Sequence, residues 1–243
     1  MFEVGRCLYG SNNYNLAGPN SDKDYKVFMC PRFHDLYYKH SADKADIPDI
    51  SHRGDDLTPM DVRRLNELVL AGNVNVTEYL FSIELHWAGP LFEEYWMAAR
   101  KLYEDGYLVL VWNQWFASLE GLVKNSLDRY GVNRKSMSRA YYFYILSLKL
   151  VENDFCMNES NWRGNEWNDK VFQMRYDEHS WLPTREELET SLDYVKEVGN
   201  QSANKILKDK QIHCERLLSD ARDLKMKMFN FVREVSYNDR GDC

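Results

Sequence analysis

In the stretch LYGSNNYNLAGPNSDKDYKVF, residues 8–28, Gly10 and Ser11 are followed, after ten intervening residues, by Asp22 and Asp24. Side chains alternate across a strand, so two aspartates two residues apart would share one face. Carboxylates held side by side repel each other unless a cation lies between them. Mg²⁺ (or Mn²⁺), which prefers oxygen ligands and the company of phosphates, suits that seat. Gly10 has no Cβ, so a turn there lets backbone amides approach a phosphate, and the Ser11 hydroxyl adds a donor. An anion seat and a cation seat joined by one connection are what attack on the α-phosphate of a nucleoside triphosphate, with pyrophosphate leaving, requires.

These residues need a scaffold, and the chain supplies the pattern for one. Residues 2–9 read as a strand stopped by the Gly10 turn, and residues 22–30 as a second strand closed by Pro31, with Tyr25 and Val27 turned to the core on the face opposite the aspartates. The polar segment that follows is loop-rich, with a short strand at 55–57. Thr58 and Pro59 then signal a helix start, Thr58 as cap, Pro59 in the first turn and Asp61 facing the exposed amides. Val62, Leu65, Leu68 and Val69 continue at helical spacing until Gly72 and Asn73 interrupt them, and a second short helical run ends at HWAGP.

A boundary is expected near residue 90. Beyond it the pattern predicts helices over 91–104, 107–130, 135–153, 184–199 and 201–235, the fourth opened by Thr184 and Glu187 at capping-box spacing. Residues 158–182, rich in Trp, Asn and charge, show neither strand nor helix period and read as a long loop or a binding lid. Its Trp162 and Trp167 are read as anchors of that segment rather than as base-stacking groups. The fold class is α+β.

Composition narrows the function. The 243 residues carry a net charge of −7, with 44% apolar and 28% charged residues, enough for a real core and too acidic for a general nucleic-acid coat, though a local basic groove is compatible. Five scattered cysteines without ligand spacing read as reduced thiols, and six scattered histidines give no zinc site. No leader and no membrane-length apolar run is seen, so a cytoplasmic protein without membrane partners is expected. The apolar stripe near the C-terminus reads as core or as packing for a homo-oligomer. Glu78, flanked by apolar residues, reads as the partner of a buried arginine or a backbone amide rather than as a ligand.

Gly-Ser, ten residues, then Asp-x-Asp resembles the signature of DNA polymerase β-like nucleotidyltransferases. YGSNNYNLAGPNSDKDYKVF and LTPMDVRRLNELVLAGNVNVTEYLFS further resemble two blocks of the predicted bacterial and phage nucleotidyltransferases labelled YcgL-like, a likeness covering about the first 85 residues. The resemblance implies a polymerase β-like sheet with flanking helices in a catalytic domain over 1–90, followed by a helical bundle domain over 91–243. It implies Gly10 and Ser11 as the triphosphate turn and Asp22 and Asp24 as metal ligands. Asp56 is implied as the third ligand, helping to deprotonate the acceptor, with Asp55 its rival. Asn15 and Lys26 stand where relatives have glycine. In KSMSRAYY, Lys135 matches a basic motif of the helical half, with Arg139 and Tyr142 where His and Arg would stand. Lys135 and Arg139 are therefore candidate nucleotide-binding residues.

The reading that follows is a metal-dependent nucleotidyltransferase acting on an NTP and a hydroxyl of RNA, protein or a small molecule. The alternative is a non-catalytic regulatory protein that uses the same fold to bind a nucleotide or a partner.

Overall fold

The computed structural model describes residues 1–19, 21–38, 56–87, 89–158 and 166–238. Four strands, β1 (Phe2–Tyr9), β2 (Asp24–Cys30), β3 (Asp56–Asp61) and β4 (Leu85–Trp87), form one mixed sheet in the order β3-β2-β1-β4. β1 pairs antiparallel with β2 and β4, and β2 runs parallel to β3. Alternation along β2 puts Asp24, Lys26, Phe28 and Cys30 on one face and Tyr25, Val27 and Met29 on the other. Both sets are buried beyond Asp24, which explains why the strand reads as an almost unbroken apolar run. Tyr25 and Val27 are inside, as their pattern predicted. The main core, however, is reached from the aspartate face, where Phe28 packs against Tyr79, Phe92 and Trp96 at ring distances of 6.2, 5.7 and 5.0 Å.

Thr58 and Pro59 do not open a helix. They continue β3, with Pro59 opposite Val27. β3 is the last strand in the sheet order, and an edge strand tolerates a residue that cannot donate to the ladder. The helix starts three residues later, where the Asp61 side chain accepts from the Arg63 N–H at 2.8 Å.

Among the described residues there are nine helices: α1 (Phe33–Tyr38), α2 (Val62–Leu70), α3 (Val74–Leu80), α4 (Pro90–Glu104), α5 (Trp112–Tyr130), α6 (Arg134–Glu152), α7 (Glu166–Tyr176), α8 (Arg185–Asp209) and α9 (Gln211–Asn238). The helical C-terminal region is as predicted, with three corrections. Residues 107–109 form a separate 3-10 turn before α5. The segment 158–182 contains α7, pinned by the Arg134 guanidinium, which donates to the carbonyls of Met174, Glu178 and Ser180. The last break falls at Lys210, not at Gly199 and Asn200, because Gly199 serves a close approach: a Cβ there would lie 2.3 Å from Cζ2 of the Trp112 indole.

One hydrophobic cluster runs from Val4 in β1 to Val232 in α9, with Trp96, Trp112 and Trp115 fully buried in it. Each such ring contributes about 2 kcal/mol or more by leaving water. Cys7, Cys30, Cys156 and Cys214 are free thiols, and no described helix is long and apolar enough to cross a membrane.

Candidate active site

β1 ends in a short 3-10 turn over Gly10–Asn12, and Gly10 takes the left-handed conformation with φ of +76°. A Cβ at Gly10 would also lie 2.8 Å from Asp24 Oδ2, so the position excludes other residues twice over. The turn closes by donation from the Asn13 and Tyr14 N–H groups to the Gly10 carbonyl at 3.0 and 3.2 Å. Among the described residues, the Ser11 N–H, the Asn12 N–H and the Ser11 hydroxyl have no hydrogen-bond partner. The Asn12 side chain donates to the Asp22 carbonyl at 2.7 Å and ties the turn to the loop before β2.

Asp24 is the first residue of β2 and Asp56 the first of β3, and they are directly paired in the parallel register. The Asp56 N–H donates to the Lys23 carbonyl at 3.1 Å, which fixes that start. Asp22 is exposed and sits in the loop ahead of the strand rather than on its face, a correction to the strand start predicted at residue 22. It still shares the Asp24 field. Burial first, then the Asp56 carboxylate and, more weakly, Asp22 raise the Asp24 pKa, while Lys135 and Arg139 pull it down. Asp55 lies outside the described residues.

Among the described residues no three His, Cys, Asp or Glu side chains stand close enough to form a metal cluster. The donor chemistry nevertheless fits a hard cation: Asp24 has no hydrogen-bond donor of its own among the described residues, and its acidity is weakened by burial and then by two neighbouring carboxylates. Mg²⁺ is commonly held by one or two carboxylates, with water and substrate phosphates completing its shell.

A second acid supports the turn. Glu78 on α3 is buried and accepts from the Gly10 N–H and from the Tyr14 hydroxyl. Its carbonyl accepts from Asn13 Nδ2 at 3.1 Å. Burial pushes the Glu78 carboxyl up to about 7, against the lowering effects of Tyr14, Arg139 and the Gly10 amide. Arg139, on α6, keeps its charge: burial opposes it, but Tyr14 and Glu78 outweigh that and raise its pKa. Its Nε is buried without a hydrogen-bond partner, and Cζ lies 5.6 Å from the Phe143 ring centroid. Lys135, one turn earlier on α6, is exposed.

The structure therefore brings Gly10, Ser11, Asp22, Asp24, Asp56, Lys135 and Arg139 into one electrostatic neighbourhood. Two residues, Tyr14 and Arg175, were not singled out by sequence reasoning, and a third, Lys26, was named only as standing where relatives have glycine. Tyr14 bridges Glu78 and the Arg139 field. Lys26 is buried on the Asp24 face, with Nζ 5.2 and 5.7 Å from the ring centroids of Tyr9 and Tyr79, and burial lowers its pKa. Its signal was a cation in the middle of the apolar run YKVFMC. Arg175, on α7, had no such signal.

α7 also touches the turn. Asn168 Nδ2 donates to the Tyr14 carbonyl at 3.2 Å and the Tyr176 hydroxyl to the Leu16 carbonyl at 3.0 Å. The segment read as loop or lid is thus partly a brace; Trp162 lies outside the described residues and Trp167 falls in α7. The cavity of about 680 Å³ where α8 meets α9, around His213 and Arg216, is lined by none of the site's residues. No protein-family model, curated protein or solved structure matches this chain.

Proposed function

We propose that this chain is a divalent-metal-dependent nucleotidyltransferase that moves an NMP from an NTP to a hydroxyl acceptor on RNA, protein or a small molecule and releases pyrophosphate. The observation that carries the reading is the juxtaposition at Gly10: a turn with two unpartnered backbone N–H groups lies against Asp24, and Asp24 is register-paired with Asp56. Mg²⁺ (or Mn²⁺) held by Asp24 and Asp56, with the Asp22 charge nearby, would supply neutralisation of the triphosphate and polarisation of its α-phosphate. The Ser11 and Asn12 N–H groups and the Ser11 hydroxyl donate to phosphate oxygens. Asp56, exposed at the strand start, accepts the proton of the acceptor hydroxyl as its oxygen bonds to the α-phosphorus. The bond to the bridging oxygen breaks, and the pyrophosphate leaves with the electron pair, its charge met by Lys135 and Arg139.

Incubation with Mg²⁺ or Mn²⁺, each α-labelled NTP and pools of RNA, protein and small-molecule acceptors tests this. The protein transfers label and Asp24→Asn does not. Full transfer by Asp24→Asn would remove the metal assignment. The loose spacing of the carboxylates is the observation that favours the second reading, a non-catalytic nucleotide-binding protein. Calorimetry separates the two: nucleotide affinity that ignores divalent metal, with no labelled product, supports the second.

A further inference from the structure

Where α9 packs on α2 there is a cavity of about 520 Å³ that none of the Gly10 site's residues line. Among the described residues its apolar wall is built from Leu36, Met228, Phe229 and Val232. Met228 and Val232 are buried, whereas Phe229 lines the cavity while 59% exposed. Tyr237, a second exposed ring of the lining, meets the Phe33 ring of α1 at 5.8 Å. Large apolar side chains left in water around a concavity of this size mark a ligand seat.

The polar groups of the lining say which ligand. Asn66, on α2, is only 8% exposed, and its Oδ1 accepts from the Tyr95 hydroxyl at 3.2 Å. Tyr95 belongs to the core, so that oxygen is turned inward, and Nδ2, with two N–H donors, has no acceptor among the described residues. A buried donor without a partner is costly, and an acceptor in the cavity relieves the cost. Lys225 and Arg233 lie eight residues apart on α9, about 12 Å along its axis, and neither makes an ion pair among the described residues. Arg63, also in the lining, is held by Asp61, and the one acid there, Glu67, is engaged by Arg64 at 2.8 Å. Apolar walls, an unpartnered donor and two unpaired cations complement an amphipathic anion.

We infer that this cavity binds a free amphipathic carboxylate, its apolar body along Leu36, Met228, Phe229 and Val232 and its head accepting from Asn66 Nδ2 in the field of Lys225 and Arg233. The site shares no residue with the Gly10 turn and does not depend on the transferase reading. A neutral chain of the same length meets the same walls without the charge, and an alkylammonium meets like charge, so affinity falls from carboxylate to alcohol to ammonium.

Calorimetric titration of the full chain with decanoate, decanol and decylammonium, each below its solubility and micelle limits, tests the site. The protein binds decanoate, and decanol and decylammonium bind at least about tenfold more weakly. The double variant Lys225→Gln with Arg233→Gln, both at exposed positions, binds decanoate at least about tenfold more weakly with an unchanged melting temperature and keeps its affinity for decanol. Asn66→Asp, which keeps the oxygen that faces Tyr95 and replaces the donor with negative charge, also binds decanoate at least about tenfold more weakly. No decanoate binding, equal affinity for decanol, or unchanged decanoate affinity in the double variant overturns the site. A dimer in sedimentation equilibrium that Phe229→Ala dissociates, in a protein that binds no decanoate, overturns it as well and assigns this face to a second copy of the chain.

Discussion

Glu78 and Asp24 both approach Gly10, one at its N–H and the other at its Cα, and only Glu78 finds donors there. Glu78 is buried, with the Gly10 amide, the Tyr14 hydroxyl and the Arg139 charge around it. Asp24 is half-buried among acids and has no donor of its own among the described residues. The difference separates a carboxylate that holds the turn from one that no donor satisfies among the described residues. A satisfied buried acid stabilises the geometry of the turn, whereas an unsatisfied acid facing like charges is most stable with a cation present. On the proposed transferase reading the first belongs to the scaffold and the second to the chemistry.

Substitutions sharpen that contrast. Glu78→Ala leaves the Gly10 N–H, the Tyr14 hydroxyl and the Arg139 charge uncompensated in the interior, and should cost about 4 kcal/mol in denaturant unfolding. Asp24→Asn should do the reverse: transfer falls at least about a hundredfold, some 2.7 kcal/mol in the barrier, while the melting temperature holds or rises because repulsion with Asp56 is relieved. A strongly destabilised Asp24→Asn would erase the distinction between the two acids.

The two acids also predict a pH dependence. The Glu78 carboxyl titrates near 7 in the folded protein against an ordinary value of 4.5, so between these values the native state binds more protons than the unfolded chain. Stability therefore falls as pH rises from about 4.5 to about 7, by roughly 3 kcal/mol for this group, and Asp24 adds to it with the same sign. Glu78→Gln should flatten most of that slope in pH-dependent unfolding, which Asp24→Asn should leave largely in place. The smallest effect is expected far from the turn. Thr184 caps α8 by accepting from the Glu187 N–H at 3.1 Å, and Thr184→Ala should cost about 1 kcal/mol of stability and leave transfer per folded molecule unchanged.

The parts legible in the sequence were those carried by local chemistry. The Thr184 capping box, the Gly72 stop and the Gly10 turn each need particular residues at fixed spacing, and each is where the spacing put it. Pro59 misled because a helix first turn and an edge strand both tolerate a missing N–H, and the choice is made by β2 pairing across space. Gly199 misled for a similar reason: the Trp112 ring that it accommodates is 87 residues away in sequence. Within the site, the acids were readable from spacing, and Glu78 from its apolar flanks. Arg175 was not, since its place depends on α7 docking to α6 and to the Tyr14–Leu16 backbone, contacts separated by up to 160 residues.

On the proposed transferase reading, Asp24 and Asp56 jointly seat a divalent cation against a triphosphate. Mn²⁺ titration followed by electron paramagnetic resonance, with a non-hydrolysable NTP analogue present, measures that seat without needing the acceptor. The unmodified protein should bind Mn²⁺, and binding should weaken at least about tenfold in both Asp24→Asn and Asp56→Asn, with unfolding of all three proteins at similar temperature. Equal Mn²⁺ affinity in the three proteins would contradict it.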